Sequence, residues 1–189
     1  MPTEADDLVV LLDDSGNPCG TADRATVHGT ATPLHLAFSC YVVDDHQRVL
    51  MTRRALTKRT WPGVWTNACC GHPKPGEPLG DAVERRLVEE LGLTVTALGV
   101  VLPDFRYEAT DASGIRENEI CPVFVATVSG EVAPDRAEVM EHRWADAAAL
   151  ADAAARSPWL LSPWSSAQIT QMDLPRLRGS LSTTQQRPA

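Results

Sequence analysis

Apolar and polar positions change period several times along the chain, and each change marks an element. Residues 8–12 (LVVLL) are a continuous apolar run that predicts a strand, closed by the turn-forming DDSGNP. Residues 36–43 (LAFSCYVV) and 48–53 (RVLMTR) flank the polar DDHQ and predict a β-hairpin. From about Ala55 to Gly80 no period persists. This stretch carries two tryptophans among glycines and prolines, and is long enough for a loop to suggest a functional role. In GDAVERRLVEELGL, Val83, Leu87 and Leu91 recur at helical spacing, so a helix is expected with that stripe buried. Asp81 and Glu84 give it a capping-box-like start, and Gly92 a stop. Residues 94–107 and 119–128 read as extended, MEHRWAD as a short strand, and DAAALADAAAR as a helix. SPWLLSPWSSAQI leads into another helix, and RLRGSLSTTQQRPA is expected to fray. Mixed strands with helices segregated around them predict an α/β fold of α+β character, a sandwich rather than repeated βαβ units.

Composition narrows the class. The chain has 189 residues, 43% of them hydrophobic and 22% charged, which suits one soluble globular domain. No apolar run reaches the roughly 18–20 residues of a membrane helix. The acidic start MPTEADDLVVLLDD lacks a signal peptide's basic region, so we expect a cytoplasmic protein without a membrane partner. A net charge of −8 argues against nucleic acid, whose binders carry basic faces. An anionic small molecule stays possible if metal ions and a few local Arg or Lys bridge the charges.

Five cysteines at irregular positions, Cys19, Cys40, Cys69, Cys70 and Cys121, make no disulfide framework. Cys69 and Cys70 are adjacent within WTNACCGHPKPGE, which is neither a zinc knuckle nor a C-x-x-C redox pair. Vicinal thiols rarely close a disulfide without strain, so the pair reads as one functional and one incidental residue. Cys19, Cys40 and Cys121 are expected to behave as small buried hydrophobes.

Reading on from Gly71, the positions Gly71, Glu77, Arg85, Leu87, Glu89, Glu90, Gly92 and Leu93 fall in the order G-x5-E-x7-R-x-U-x-E-E-x-G-U, where U is a bulky aliphatic residue. This resembles the Nudix box, in which a Gly-rich loop enters a helix whose carboxylates bind Mg²⁺. One defined position differs: Arg86 stands where the box has Glu. The alternative reading, a solvated helix face with i,i+4 charge pairs, does not account for eight ordered matches. Loss of that acid weakens a hydrolase reading and points to a Nudix fold with other chemistry.

LHLAFS, TRRA, WPGVWTN, CGHP, PDFRY, GIRENEICPVF and SPW, spread from about Leu11 to Trp164, together resemble the bacterial type I isopentenyl-diphosphate isomerases. The resemblance implies a Nudix-type α/β/α sandwich with a mixed sheet. Residues 1–32 would supply a strand and loop to the site, 33–167 the Nudix domain, and 168–189 a helix or tail. It implies one divalent metal, Mn²⁺ or a similar ion, held by His28, His35, His72, Glu117 and Glu119. In a strand the two glutamates share a face, as ligands of one ion must. His46 and His142 are read as structural or surface residues. A Mg²⁺ carried with the diphosphate would be bridged to Glu90 and the Cys70 carbonyl. Arg24, Arg54 and Lys58 match positions that contact the diphosphate of an isoprenoid substrate.

The implied chemistry moves a double bond. A proton is added at C4, positive character appears at C3, and a proton leaves C2. Cys70 and Glu119 resemble the acid–base pair, with Tyr107 relaying or orienting a proton beside Glu119. Trp164 matches the aromatic face for the cationic intermediate, an interaction worth roughly 0.5–2 kcal/mol. Trp65 or Trp61 could help shape the pocket, though for Trp61 plain packing is preferred. Cys69 is taken as filler. A monomer or weak dimer is expected. The competing readings are a Nudix hydrolase of a nucleoside diphosphate derivative and a non-catalytic metal-binding protein.

Overall fold

Strict alternation in one strand sets the layers of the molecule. In Phe38–Val43 every residue is buried, yet successive side chains enter different cores. Phe38, Cys40 and Val42 point to one side, while Tyr41 and Val43 point to the other. A strand buried on both faces needs helices on both, and that is the arrangement in the computed structural model, which describes residues 8–183.

The elements run β1 (Leu8–Leu12), β2 (Pro18–Asp23), β3 (His35–Leu36), β4 (Phe38–Val43), β5 (Arg48–Arg54), β6 (Trp65–Thr66), β7 (Cys69–Gly71), α1 (Leu79–Leu91), β8 (Thr94–Leu102), β9 (Arg106–Thr110), β10 (Arg116–Ile120), β11 (Val123–Ser129), β12 (Val139–Asp146), α2 (Ala147–Arg156) and α3 (Pro163–Ile169). Short 3₁₀ stretches follow α2 and α3, at Pro158–Leu160 and Leu174–Thr183. Among the described residues one sheet has the order β2-β1-β3-β10-β9 and the other β12-β5-β4-β11-β8, with β6 and β7 paired to β5 and β4. The pairs β3/β10 and β4/β11 are parallel and the remaining pairs antiparallel, so both sheets are mixed as expected. Helix α1 covers one face of the larger sheet, and α2, α3 and the last 3₁₀ stretch cover the other.

The α1 stripe is as the periodicity requires: Val83, Leu87 and Leu91 are fully buried. Replacing Leu87 by alanine is expected to cost about 2–5 kcal/mol, through lost transfer energy and a cavity against the sheet. A lowered denaturant midpoint with unchanged slope checks it. Gly92 ends the helix at φ 68°, where its N–H reaches the Val88 carbonyl. A side chain there would also crowd Ala133. The start differs from expectation. The helix opens at Leu79 after Pro78, with no side-chain cap, and Asp81 lies in its first turn, a favourable place for negative charge.

Three other departures share a cause: strands here change sheet. The extended stretch 94–107 breaks at Pro103–Phe105 into β8 and β9, which belong to different sheets. The stretch 119–128 begins earlier, at Arg116, and breaks at Cys121–Pro122 into β10 and β11. The expected strand 36–43 likewise divides at Ala37 into β3 and β4. The 55–80 loop contains β6 and β7, and Pro18–Asp23 forms a strand that the apolar pattern did not signal. The segment expected to fray, from Arg176, instead continues a 3₁₀ stretch up to Thr183 and buries Leu177; residues 184–189 lie outside the described residues. Cys40 and Cys121 are buried as expected, but Cys19 is exposed, because β2 is an edge strand.

Candidate active site

The seam where β3 passes into β4, and β10 into β11, gathers residues from both sheets. His35 lies on β3, directly across from Glu119 on β10. Glu119 is in turn opposite Tyr107 on β9. His72 follows β7, which pairs with β4, and His28 lies in the loop after β2. The three imidazoles and one carboxylate converge. Glu119 Oε1 lies 3.4 Å from His35 Nε2, 3.4 Å from His72 Nε2 and 3.9 Å from His28 Nε2. The His35 and His72 Nε2 atoms are 3.2 Å apart.

This cluster has the chemistry of a metal site. The Nδ1 of His35 meets the Pro33 carbonyl at 2.9 Å, which turns its Nε2 inward. The buried Nε2 of His28 has no hydrogen-bond partner among the described residues. All four donor atoms lie within 4.8 Å of one another, close enough for a single ion. Burial alone would raise the pKa of Glu119, but contacts with His28, His35 and His72 outweigh it and hold the carboxyl well below its usual range. Burial pushes His72 down to about 4, so its ring is neutral and able to ligate. For His35 burial acts against the charge, yet the neighbouring Glu119 prevails and lifts it.

Glu117 shares the strand face with Glu119 and is equally buried, but it stands outside the four-residue cluster. Its oxygens accept hydrogen bonds from Thr60 Oγ1 at 2.8 Å and Tyr107 OH at 2.6 Å. Tyr107, read as relaying or orienting a proton beside Glu119, lies across from Glu119 on the neighbouring strand, and its hydroxyl donates its hydrogen bond to Glu117. Burial and the Glu119 charge raise the Glu117 pKa.

Cys70 lies on β7 and lines the same cavity, of about 600 Å³, with Glu119, Tyr107, Trp164 and Arg54. Its sulfur is 3.3 Å from Ser39 Oγ and 3.2 Å from Asn67 Nδ2. Burial pushes the thiol up to about 11, so it keeps its proton at neutral pH. Neither Asn67 nor Ser39 was singled out from the sequence. Asn67 is saturated: its amide donates to the Cys40 and Cys69 carbonyls and accepts from Thr66 and from Trp164 Nε1. That indole bond fixes Trp164, which Trp61 meets edge-on at 5.3 Å and Tyr107 at 5.8 Å. Trp61 therefore packs against the aromatic wall, as its plain reading held, while Trp65 packs against the core below α3.

Cations line the cavity, Arg24, Arg54, Lys58 and Arg86 among them. Arg54 lies over the Trp164 ring, 5.5 Å from its centroid, and donates to the Thr60 carbonyl at 2.9 and 3.1 Å. Lys58 pairs with Glu138 at 2.5 Å. Arg86, noted in the sequence only as a missing acid, faces the cavity and pairs with Glu90 and Glu138. Gly71 makes this possible: a Cβ there would come within 3.2 Å of the Arg86 side chain.

The motif helix is thus partly scaffold. Glu77 and Arg85 form a bidentate pair, 2.8 Å in each arm, that ties the Gly-rich loop to α1. Glu90 is buried behind Arg86, and Cys69 Sγ is 3.8 Å from its carboxylate. Glu90 is absent from the cavity wall among the described residues, and a Mg²⁺ there does not fit while Arg86 holds the carboxylate. A buried carboxylate needs a counter-charge, and the arginine one turn earlier supplies it. Of the other histidines, His46 is exposed in its turn and His142 sits in β12.

Comparison with known proteins places the chain in a family. Residues 33–164 match the NUDIX domain family. The isopentenyl-diphosphate Delta-isomerase of Frankia alni is 59% identical over 88% of this chain and 86% of its own length. That of Mycolicibacterium vanbaalenii is 56% identical over 92% of this chain and 96% of its own. A Deinococcus radiodurans structure superposes with TM-score 0.67 at 13% identity, covering 87% of this chain and 98% of that one. A MutT protein of Methanosarcina mazei gives 0.60 at 21%, covering 74% and 92%. At those identities the two structures speak only to the fold. With its Nudix-type sandwich and identity above half to curated relatives across most of its length, the chain belongs to the isopentenyl-diphosphate Delta-isomerase family of NUDIX-domain proteins.

Proposed function

We propose that the protein isomerises isopentenyl diphosphate to dimethylallyl diphosphate, reversibly, with Cys70 and Glu119 as its acid–base pair. The observation that carries this reading is the meeting of the Cys70 thiol and the Glu119 carboxylate in one cavity, with Tyr107 and Trp164 on its wall. Two groups whose surroundings push their pKa values apart are suited to give and take a proton at the same pH. One group delivers a proton to C4, whose bond forms from the alkene π electrons. The other removes a proton from C2, and that C–H pair becomes the new C2=C3 bond. Because the reaction runs both ways, each group is acid in one direction and base in the other. Positive character at C3 falls against Trp164, whose ring already carries the Arg54 guanidinium on one side.

Arg24, Arg54 and Lys58 are proposed to hold the diphosphate, joined by Arg86. The His28, His35, His72 and Glu119 cluster, with Glu117 beside it, is proposed to hold one divalent ion. Imidazole and carboxylate donors together suit Mn²⁺ better than Mg²⁺. A bound dication supplies charge that favours the ionised form of Glu119. A Mg²⁺ carried with the diphosphate would supply further counter-charge to the phosphates; Glu90, whose carboxylate Arg86 holds, is not assigned to it. No helix among the described residues is long and apolar enough to cross a membrane. The free thiols suit a reducing compartment, and we place the protein in the cytoplasm.

The test is to incubate the purified protein with isopentenyl diphosphate and Mg²⁺, with and without Mn²⁺. Allylic product is followed by NMR and free phosphate in the same tube. Dimethylallyl diphosphate without phosphate release is the expected result. Phosphate without allylic product would turn the reading to hydrolysis, and silence with either metal to a binding protein.

A further inference from the structure

Thr60 is buried in the loop after β5, with only 7% of its surface exposed. Its hydroxyl donates to Glu117 Oε1 at 2.8 Å and accepts from Arg54 Nη2 at 3.2 Å. Its carbonyl accepts from Arg54 Nε and Nη2 at 3.1 and 2.9 Å. The next residue, Trp61, has φ 43°, an unfavourable value for a bulky side chain. The loop thus keeps a strained turn immediately beyond Thr60, where Trp61 packs on Trp164. On one side of Thr60 stands the cation at the anion rim; on the other stands the carboxylate beside the histidine cluster.

We propose that Thr60 is a positioning residue that joins the two halves of the site. Its hydroxyl orients the Glu117 carboxylate beside the metal cluster, and its carbonyl anchors Arg54 at the diphosphate rim. The inference rests on the reading that the histidine cluster binds a divalent ion with Glu117 alongside. Each Glu117 oxygen receives one donor, from Thr60 and from Tyr107, so each keeps a lone pair for a cation. Removing the Thr60 hydroxyl takes away one of the carboxylate's two donors, leaving Tyr107 alone to orient it, while Arg54 loses one long contact but keeps both bonds to the Thr60 carbonyl. Metal affinity and anion affinity should therefore separate.

The experiment uses the full chain stripped of metal. Mn²⁺ is titrated calorimetrically into the wild type, Thr60→Val and Thr60→Ser, and inorganic pyrophosphate is titrated separately with EDTA present. Thr60→Val should raise the Mn²⁺ Kd about tenfold to a hundredfold, the range for losing a partner of a ligand, and Thr60→Ser should stay within about threefold. Pyrophosphate affinity should hold in both. An unchanged Mn²⁺ affinity in Thr60→Val overturns the proposal. So does an equal loss in Thr60→Ser, or a joint fall of both affinities, which marks general collapse of the loop. If Thr60→Val does not fold, Thr60→Ala carries the same expectation. Absence of Mn²⁺ binding by the wild type overturns the metal reading itself and this inference with it, whatever the turnover.

Discussion

Replacing Cys70 by alanine is expected to lower kcat for isomerisation by about 10²–10⁴-fold, the usual contribution of a positioned acid or base, and to leave the fold in place. The fold should survive because the sulfur's neighbours keep other partners. Ser39 Oγ still accepts from Gln168 Nε2 at 2.9 Å and retains Cys121 Sγ at 3.4 Å. Asn67 has its hydrogen-bonding capacity filled by Thr66, Trp164 and two backbone carbonyls. No buried polar group is orphaned, so the large penalty for an unsatisfied donor does not arise. Steady-state kinetics beside a thermal melt separates the two effects. Near-normal turnover would remove Cys70 from the chemistry. Cys69→Ser is the companion control. That thiol is buried against α1 and faces Glu90, away from the cavity, so its turnover should stay close to that of the wild type.

The adjacency of these two cysteines shows what a sequence can and cannot convey. Their strand, β7, alternates sides, so one thiol enters the core under α1 and the next enters the cavity. The CGHP motif singled out Cys70, the member that lines the cavity, but it gave no sign of Ser39 or Asn67 beside it. The helix stripe of Val83, Leu87 and Leu91 was legible because its contacts repeat within one element. Three histidines and the two glutamates drew notice as metal-binding residue types, but it was the family resemblance that joined them; the structure gathers His28, His35, His72 and Glu119 and leaves Glu117 beside them. What stayed hidden depends on contacts between distant residues. Thr60 and Glu117 are 57 positions apart, and nothing in RTW announces that a threonine is buried against an acid. The divided strands were hidden for a related reason. Ala37 and Cys121 are apolar and continue each pattern, while the backbone passes from one sheet to the other. Arg86 was visible as a departure from a motif, but its role depends on Glu90 and Glu138 meeting it from α1 and from the segment before β12.

Glu119→Gln should have the widest effect of any single change, because this carboxylate serves both halves of the proposed chemistry. Turnover is expected to fall at least as far as in Cys70→Ala, since an amide can neither take the proton nor return it. Metal affinity should fall as well. The amide keeps the size of the carboxylate but removes the negative charge on which His28, His35 and His72 converge. It also sets an N–H₂ donor, or a neutral oxygen, at the point where four donor atoms now meet. One ligand of four is therefore lost and the remaining imidazoles are left mutually crowded, with two Nε2 atoms 3.2 Å apart. Calorimetric titration of Mn²⁺ into the stripped variant, run beside the activity assay, reads the two losses separately. Turnover retained with metal binding lost would leave the cluster structural and move the acid–base role elsewhere. Metal binding retained with turnover lost would assign Glu119 to proton transfer and leave the ion to the three histidines and Glu117. Loss of both is the expected outcome, because the ion that holds Glu119 ionised and the proton that Glu119 carries act through the same carboxylate.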